Sequence, residues 1–418
     1  MNARITPSKI CGEIVAPPSK SYAHRILIAA YLSGHKVCVH NAGNSNDVLA
    51  TVGALQSLGA QVQVSNGSVT ILRQTLPSKA TVDCNESGST LRFLLPVAAA
   101  LNVNATFTGQ GRLLSRPIRE LAQALNGNGA KIDASDTDAF YVSGKLSAGE
   151  FTVPANVSSQ YITGLLFALP LLDGDSKITL IGETVSAGYL DITLDVLQRF
   201  GIVIERTDYG YFVKGNQRYV ATDDVTVEGD YSGAAFPLSL GAICGKVTVK
   251  GLNALSLQGD AQIVRVLKKF GAKVTVRNDS VCVEKQHLNA IQLDCENIPD
   301  LVQIISVVAS YAQGVTVLKN VNRLRLKESD RVQAIIEQLH AAGIRCEFDN
   351  GCLFIYGGAP IGASFCGGND HRTVMSATVL ALAAKGESTI ADCQPFSKSY
   401  PEFYNDISRL GGQIHVDV

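Results

Sequence analysis

Hydrophobic and polar positions follow a pattern that recurs six times along this chain. In each copy a helix-like stretch ends at a glycine and a β-branched strand follows. The six glycines are Gly59, Gly129, Gly201, Gly271, Gly343 and Gly411. Their separations are 70, 72, 70, 72 and 68 residues. Glycine is expected just past a helix C-terminus, because it adopts the left-handed conformation at little cost. So regular a period predicts a repeat architecture.

A second series of helices interleaves with the first and is apolar on nearly every face. Such helices are expected in the protein interior. They cover residues 21–32, 89–101, 160–172, 233–244, 300–312 and 372–384. Short alternating strands follow most of them, so each unit reads as strand–helix–strand–helix–strand–strand. We therefore predict an α/β protein of two similar domains, each built from three such units.

The order of the units predicts the domain boundaries. One domain is expected over residues 18–228, and the other over residues 1–17 and 229–418. The last unit lacks trailing strands, whereas a short strand at residues 9–15 precedes the first unit. The N-terminal segment is therefore expected to complete the C-terminal half, with hinges near Pro17-Pro18 and Glu228-Gly229.

Composition narrows the class of protein. Of 418 residues, 46% are hydrophobic and 17% charged, and the net charge is −1. This balance is typical of a globular protein and argues against nucleic-acid or membrane partners. The ten cysteines and seven histidines form no C-x-x-C or H-x-x-x-H motif, so neither a zinc site nor a disulfide framework is indicated. With no signal peptide in the sequence, a cytoplasmic location is expected.

Basic residues stand near the starts of the predicted apolar helices, including Lys20, Arg25, Arg92 and Arg372. A cation there opposes the helix macrodipole at a cost of roughly 0.3–1 kcal/mol. Helix N-termini also bind phosphate groups well. Anion binding therefore explains these residues better than capping does, although capping alone explains Asp230 and Ser232. For the stretch around Lys20 taken by itself, a capped surface helix is an equally good interpretation.

Further cations stand at the starts of the other helices, namely Arg112, Arg116, Arg325, Lys327, Arg331 and Lys398. Lys327 and Arg331 are four residues apart, so a shared helix face is expected. A surface ion network with Glu328 and Asp330 is the alternative interpretation. No P-loop or dinucleotide motif is present. The set favours acid–base group transfer between phosphorylated or carboxylated small molecules.

Several short motifs carry a resemblance to a known family. They span nearly the whole chain and occur in the order expected for that family. They are Ser19-Lys20-Ser21 with Arg25, Ser87-Gly88-Ser89-Thr90 with Arg92, Arg116-Pro117, Ser158-Ser159-Gln160, Ile298-Pro299-Asp300, Lys327-Glu328-Ser329-Asp330-Arg331, Asp370-His371-Arg372 and Lys398-Ser399-Tyr400-Pro401. The chain thereby resembles the 5-enolpyruvylshikimate-3-phosphate (EPSP) synthase family of enolpyruvyl transferases.

The resemblance implies a fold and a reaction. Each domain would hold three units around a pseudo-threefold axis, with the active site in an interdomain cleft that closes on its ligands. The 5-hydroxyl of shikimate 3-phosphate would add to C2 of phosphoenolpyruvate, and the tetrahedral intermediate would eliminate phosphate. The resemblance implies no metal and no cofactor, and it implies a monomer whose partners are these two small molecules.

The resemblance also implies roles for individual residues. Asp300 would take the hydroxyl proton, and Glu328 with Lys20 would move protons at the methylene carbon. Shikimate 3-phosphate would contact Lys20, Ser21, Arg25, Ser158, Ser159, Gln160, Ser186, Tyr189, Asp300 and Lys327. Phosphoenolpyruvate would contact Lys20, Gly88, Arg116, Gln160, Arg331, Arg372 and Lys398.

Three positions depart from the family pattern. Arg323 and Glu86 replace residues that are often Asn, and Ser186-Ala187-Gly188-Tyr189 replaces Ser-x-Pro-Tyr. At Gly88 the pattern is kept, and the missing side chain implies room for the inhibitor glyphosate.

Three other functions are alternatives to this one. A UDP-N-acetylglucosamine enolpyruvyl transferase would share the fold. That family has a Lys-Asn pair near the position of residue 20 and uses a loop cysteine. In this chain Ser21 follows Lys20, and residues 101–125 hold no cysteine. An RNA-terminal-phosphate cyclase would require RNA-binding charge, which the net charge of −1 opposes. A non-catalytic repeat scaffold would not require Asp300, Glu328 and so many cations.

Overall fold

The computed structural model describes residues 1–135, 138–183, 187–220 and 222–417. The chain divides into two compact units. The first, called here the central unit, is Lys20–Val227. The second, called the two-segment unit, joins Met1–Ser19 to Glu228–Val418.

Twelve α-helices occur in the described residues. They are α1 (Lys20–Ser33), α2 (Asn46–Ser57), α3 (Gly88–Ala100), α4 (Arg119–Asn126), α5 (Ser159–Ala168), α6 (Ala187–Arg199), α7 (Tyr231–Cys244), α8 (Ile263–Phe270), α9 (Val302–Ser310), α10 (Arg331–Ala341), α11 (His371–Ala383) and α12 (Phe403–Arg409). None of these described helices has the length and hydropathy required to cross a bilayer.

The strands of the described residues form six sheets of four strands each. They are β1 (Asn2–Thr6), β2 (Ile10–Val15), β3 (Val37–His40), β4 (Ala60–Ser65), β5 (Ser68–Gln74), β6 (Lys79–Asp83), β7 (Asn104–Thr108), β8 (Lys131–Asp133), β9 (Ala139–Ser143), β10 (Glu150–Pro154), β11 (Ser176–Ile181), β12 (Ile204–Thr207), β13 (Gly210–Val213), β14 (Asp224–Thr226), β15 (Gly245–Lys250), β16 (Lys273–Arg277), β17 (Ser280–Glu284), β18 (Gln292–Asp294), β19 (Val315–Lys319), β20 (Cys346–Asp349), β21 (Cys352–Tyr356), β22 (Ser364–Cys366), β23 (Ser388–Ala391) and β24 (Gln413–Asp417).

The central unit holds three of the sheets. Their strand orders are β14-β3-β5-β4, β6-β7-β9-β8 and β10-β11-β13-β12. In each sheet one parallel pair is followed by antiparallel pairs. An apolar helix connects the parallel strands β6 and β7, and another connects β10 and β11, since a parallel crossover requires a long connection. In the first sheet β14, from the end of the unit, supplies the parallel partner of β3.

The two-segment unit holds the other three sheets, and the N-terminal strands complete two of them. The strand orders are β16-β17-β15-β2, β18-β19-β21-β20 and β22-β23-β1-β24. Strand β2 pairs in parallel with β15 over six residue pairs. Strand β1 lies antiparallel between β23 and β24. The last repeat therefore obtains its fourth strand from the beginning of the chain.

Each unit has its own hydrophobic core. The apolar helices form the centre of these cores; in α7, for example, every residue from Gly233 to Ile243 is buried. The other series is amphipathic. Helix α8 buries Ile263, Val266, Leu267 and Phe270, at the spacing of one helical face.

All six glycines of the period have a positive φ. At Gly59 φ is 96°, and a Cβ atom there would lie 1.9 Å from the carbonyl oxygen of Thr75. Both the left-handed conformation and the close backbone approach therefore require glycine at this turn.

Candidate active site

Charged side chains gather at the starts of the apolar helices within each unit. In the central unit Ser87 caps α3 and Ser158 caps α5, accepting hydrogen bonds from Thr90 N and Gln160 N. In the two-segment unit Asp370 caps α11 and accepts a hydrogen bond from Arg372 N. These caps leave other N–H groups of the first turn available to an anion.

Lys20 and Arg25 lie on the first two turns of α1. Lys20 Nζ is 2.7 Å from Asp47 Oδ2 at the start of α2. The guanidinium of Arg25 is buried and donates to Thr193 Oγ1 at 2.8 Å and to the carbonyl oxygens of Ser21 and Tyr189. Burial lowers the pKa of Arg25 to about 10, so it stays a cation near neutral pH. The fixed guanidinium ties α1 to α6.

Two arginines surround the first residue of α3. A Cβ atom on Gly88 would lie 2.7 Å from Nη1 of Arg92 and 2.7 Å from Nη1 of Arg116. Arg92 donates to Gln160 Oε1 at 3.0 Å, and Gln160 Nε2 donates to Ser89 Oγ at 3.1 Å. We call these five residues the Gly88 cluster. It presents two guanidinium groups and backbone N–H groups, the donors that bind phosphates and carboxylates best.

A buried chain of hydrogen bonds connects α1, α2 and α3 beneath these residues. Thr90 Oγ1 donates to Ser87 Oγ at 2.7 Å, and Thr51 Oγ1 lies 2.6 Å from Thr90 Oγ1. His24 Nδ1 lies 2.6 Å from Thr51 Oγ1. Because each hydroxyl has one hydrogen, Thr51 donates to Thr90 and accepts from Nδ1–H of His24. In the neutral ring Nε2 is then unprotonated, and it is buried with no hydrogen-bond partner in the described structure.

The two-segment unit concentrates its charge on Arg331, the first residue of α10. Its side chain is 1% exposed and contacts three carboxylates at once. Nη1 lies 2.9 Å from Asp300 Oδ1, Nη2 lies 2.7 Å from Glu328 Oε2, and Nε lies 2.8 Å from Asp370 Oδ2. Only a guanidinium has enough donors in a rigid plane to serve three carboxylates.

Arg372 joins the starts of α7, α9 and α11. It donates to Ser232 Oγ at 2.7 Å and to the carbonyl oxygen of Asp300 at 2.8 Å, and Nη2 lies 3.3 Å from Asp300 Oδ2. Lys327 Nζ lies 3.6 Å from Asp300 Oδ1. We call Asp300, Lys327, Glu328, Arg331, Asp370 and Arg372 the Arg331 cluster. Lys398 donates to Asn369, the residue before Asp370, at 2.7 Å.

Burial and charge pairing set the protonation of these groups. Burial opposes the charge on Arg331, but Asp370, Glu328 and Asp300 raise its pKa above the ordinary value. Burial would raise the pKa of Asp370, but Arg331 holds it below the ordinary value. Burial lowers the pKa of Lys327. Burial and the nearby Asp300 raise the pKa of Asp260 to about 7.

The structure groups the predicted site residues by unit. The central unit holds Lys20, Ser21, Arg25, Gly88, Arg116, Ser158, Ser159, Gln160 and Tyr189. The two-segment unit holds Asp300, Lys327, Glu328, Arg331, Arg372 and Lys398. Ser186 lies outside the described residues. In the two-segment unit the expected convergence of helix starts is confirmed by Arg372, which lies at the start of α11 and contacts residues at the starts of α7 and α9.

Two predictions about local structure are wrong. Lys327 does not share a helix face with Arg331, because it lies in extended backbone before α10 begins. Both cations instead reach Asp300 from successive elements. Ser232 does not cap α7, since Asp230 accepts both cap hydrogen bonds and Ser232 Oγ accepts from Arg372.

Three carboxyl groups lie beside predicted site residues but were not themselves predicted as site residues. They are Asp47 beside Lys20, Asp260 beside Asp300 and Asp370 beside Arg331. Asp370 was visible in a family motif, where a cap explained it. For Asp47 the sequence offered only one indication of a site role, which is its position in the first turn of a helix. Asp260 lies in a short 3-10 helix at Gly259–Gln262, and its sequence neighbours carry no signal for burial beside Asp300.

Comparisons with known proteins give a consistent family. The family model of EPSP synthase (3-phosphoshikimate 1-carboxyvinyltransferase) matches residues 5–407. A 3-phosphoshikimate 1-carboxyvinyltransferase of Clostridium acetobutylicum is 40% identical, over 99% of this chain and 98% of that protein. One from Clostridioides difficile is 38% identical, over 98% of each chain.

Solved structures share the fold. An EPSP synthase structure from Acinetobacter baumannii has a TM-score of 0.86 at 24% identity and covers all of both chains. The enolpyruvyl transferase NikO from Streptomyces tendae has a TM-score of 0.80 at 16% identity, over 99% of this chain and 98% of that one. At these identities the likeness concerns the fold alone.

His24 predicts a dependence of stability on pH. Burial, together with Lys20 and Arg25, lowers its pKa well below 6.5. Below about pH 6.5 the unfolded chain therefore binds a proton that the folded protein excludes, so stability falls as pH falls. His24→Asn keeps an N–H for Thr51 but removes this proton. We expect its urea unfolding midpoint to fall less than that of the wild type between pH 7 and 5.

The size of this effect is bounded by about 1.4 kcal/mol per pH unit for one proton. His35→Asn is the matched control, since His35 is exposed in the same unit. If wild type and His24→Asn lose stability in parallel over this range, His24 is not held neutral by the fold.

Proposed function

The chain belongs to the EPSP synthase family, as its motifs predicted, and from this premise we propose that it transfers the enolpyruvyl group of phosphoenolpyruvate to the 5-hydroxyl of shikimate 3-phosphate. The products are 5-enolpyruvylshikimate 3-phosphate and phosphate. One observation carries this proposal, namely the family match over residues 5–407. Identity of 40% over nearly the whole length to a 3-phosphoshikimate 1-carboxyvinyltransferase supports it.

We assign the anionic substrate groups to the clusters of basic residues. Shikimate 3-phosphate is bound by Lys20, Ser21, Arg25, Ser158, Ser159, Gln160, Ser186, Tyr189, Asp300 and Lys327. Phosphoenolpyruvate is bound by Lys20, Gly88, Arg116, Gln160, Arg331, Arg372 and Lys398. The support is chemical, because guanidinium pairs and helix N-termini suit phosphate and carboxylate groups.

Gly88 has a distinct role in this assignment. Without a side chain, the backbone at the start of α3 can approach phosphoenolpyruvate while Arg92 and Arg116 stay in place. The distance of 2.7 Å from a Cβ position to each guanidinium supports this role, since a side chain would displace both. The guanidinium and backbone N–H donors around the phosphate are then already oriented before the reaction. These donors therefore need to reorganise less as the charge of the substrate changes.

Asp300 and Glu328 carry the proton transfers in this proposal. Asp300 removes the proton of the attacking hydroxyl, while Glu328, with Lys20, protonates and later deprotonates the methylene carbon. Arg331 contacts both carboxylates, at 2.9 and 2.7 Å, and so fixes their orientation before substrate binds. For Arg331 to bind phosphoenolpyruvate as well, it must exchange a carboxylate partner for the substrate.

The neighbourhood of Asp300 supports its role as a base. Lys327, Arg331 and Arg372 each approach its carboxylate within 3.6 Å, which favours the ionised form. The buried Asp260 opposes that effect by like charge, because the pKa of Asp260 is raised partly by Asp300. The ionised carboxylate is the form that can accept the hydroxyl proton.

We further propose that the protein acts as a monomer in the cytoplasm, on two small-molecule substrates and without a metal or cofactor. Binding of both substrates is accompanied by closure of the protein around them.

Phosphate release tests the proposed activity. With purified protein, we expect phosphate to appear from phosphoenolpyruvate only when shikimate 3-phosphate is present. Asp300→Asn and Glu328→Gln should lower kcat by about 10²–10⁴-fold, the usual contribution of a general acid or base. Glu337→Gln, an exposed position on the same helix as Arg331, is the control and should keep wild-type kcat. Release that does not depend on shikimate 3-phosphate would contradict the proposed substrate.

Gly88→Ala tests the phosphoenolpyruvate assignment. The added Cβ would displace Arg92 and Arg116, so we expect KM for phosphoenolpyruvate to rise at least about threefold. The inhibition constant of glyphosate should rise more, by at least about tenfold, equivalent to roughly 1.4 kcal/mol. Gly53→Ala is the matched control, because a Cβ on that helical glycine meets no atom within 4 Å. Unchanged glyphosate inhibition in Gly88→Ala would show that Gly88 does not face this site.

A further inference from the structure

Three chemically reactive side chains lie together on one sheet of the central unit, outside both clusters. They are Cys38 and His40 of β3 and Asp224 of β14, called here the Cys38 triad. Residues two apart on a strand face the same side of a sheet, which places Cys38 beside His40. Strand β14 pairs in parallel with β3, and Asp224 is the register partner of Cys38. The sheet register therefore assembles a group that no linear motif reveals.

The distances order the three side chains with the imidazole in the middle. Asp224 Oδ1 lies 2.6 Å from His40 Nε2, and His40 Nδ1 lies 3.8 Å from Cys38 Sγ. A carboxylate can only accept a hydrogen bond, so Nε2 carries the hydrogen. In the neutral ring the lone pair of Nδ1 then points toward the thiol. A nucleophile, a base and a carboxylate that orients the base form the arrangement of activated nucleophiles.

The triad is accessible from solvent. The side chain of His40 is 44% exposed and that of Asp224 is 68% exposed, while Cys38 is partly buried. An exposed ion pair between His40 and Asp224 would contribute little to stability. An ion pair also does not explain why the Cys38 thiol lies beside the second ring nitrogen of His40. Base-assisted thiol chemistry explains the positions of all three groups.

We propose that Cys38 is a base-assisted nucleophile that forms mixed disulfides with small disulfides. His40 Nδ1 accepts the thiol proton, and Asp224 stabilises the resulting imidazolium. The sulfur of Cys38 attacks one sulfur of the small disulfide, and the bond between its two sulfurs breaks. The leaving thiolate takes the proton and departs as a thiol. The protein gains one S–S bond, and the small disulfide is divided between the adduct and the free thiol.

A divalent metal is the competing occupant, since the three ligand atoms lie within 4.8 Å of one another. Zinc requires its donors to converge on one point, and each histidine supplies one nitrogen. Here both ring nitrogens are directed to different partners, with the ring between sulfur and carboxylate. This arrangement favours the nucleophile over the metal site.

Oxidised glutathione is the probe, applied to fully reduced full-length protein at pH 7.5, with adduct formation at each cysteine followed by peptide mass spectrometry. Cys11 and Cys366 are internal controls because both are exposed. Exposure alone would make these two react before Cys38. The triad predicts that Cys38 reacts at least about tenfold faster than either.

The variants separate the triad from general accessibility. His40→Gln and Asp224→Asn should slow the reaction of Cys38 to the rate of the exposed cysteines, while the rates of Cys11 and Cys366 stay unchanged. Cys11 and Cys366 also report on the folding of each variant in the same sample, because every cysteine of an unfolded variant reacts faster. If a variant unfolds, the proposal is tested by the reaction rate of Cys38 relative to Cys11 and Cys366 in the wild type.

Two results would overturn the proposal. One is a Cys38 that reacts no faster than Cys11 and Cys366 in the wild type. The other is one equivalent of Zn²⁺ retained by wild-type protein after dialysis and lost in Cys38→Ser, since that would assign the three side chains to a metal.

Discussion

The contact of Arg331 with three carboxylates is the interaction on which the Arg331 cluster depends. A buried guanidinium loses its hydration, and only well-placed partners compensate for that loss. Asp300, Glu328 and Asp370 do so within 2.9 Å. The same contacts fix the cap of α11, the start of α9 and the segment before α10. One side chain therefore couples the local structure of three elements to the orientation of the two proposed acid–base residues.

The central unit uses a different set of partners. Arg92 donates to the carbonyl oxygen of Pro117 and to Gln160, which are neutral acceptors. Neutral acceptors orient a guanidinium without cancelling its charge, so the Gly88 cluster keeps a positive field for an anion. The Arg331 cluster instead contains carboxylates that can take up protons. The helix starts of the same repeated unit thus hold a guanidinium pair in the central unit and a mixed set of guanidinium groups and carboxylates in the two-segment unit.

The repeat pattern predicted much of the fold, because it depends on local rules. Helix ends at glycine and apolar helix faces follow from conformational preference and burial, and the six marker glycines all have the expected backbone conformation. Motifs likewise predicted the residues at the helix starts. Lys327 was misplaced because the helix begins only at Arg331, where Asp330 provides the cap.

Features that depend on packing between distant segments were not predictable. The chain from His24 to Ser87 joins three helices, and nothing in the spacing of its members indicates contact. The burial of Asp260 beside Asp300 and the pairing of Asp224 with Cys38 depend equally on tertiary register. The residues that tune a site are therefore the ones that the sequence pattern leaves unmarked.

Arg331→Lys tests the account most directly, because it keeps the positive charge and removes the planar set of donors. Steady-state kinetics with both substrates, on protein shown to be folded by its unfolding transition, should give a kcat at least about 100-fold below wild type, since an ammonium group cannot hold three carboxylates in place. A variant with wild-type kcat would show that charge alone suffices, and that the fixed geometry around Arg331 is not what organises the site.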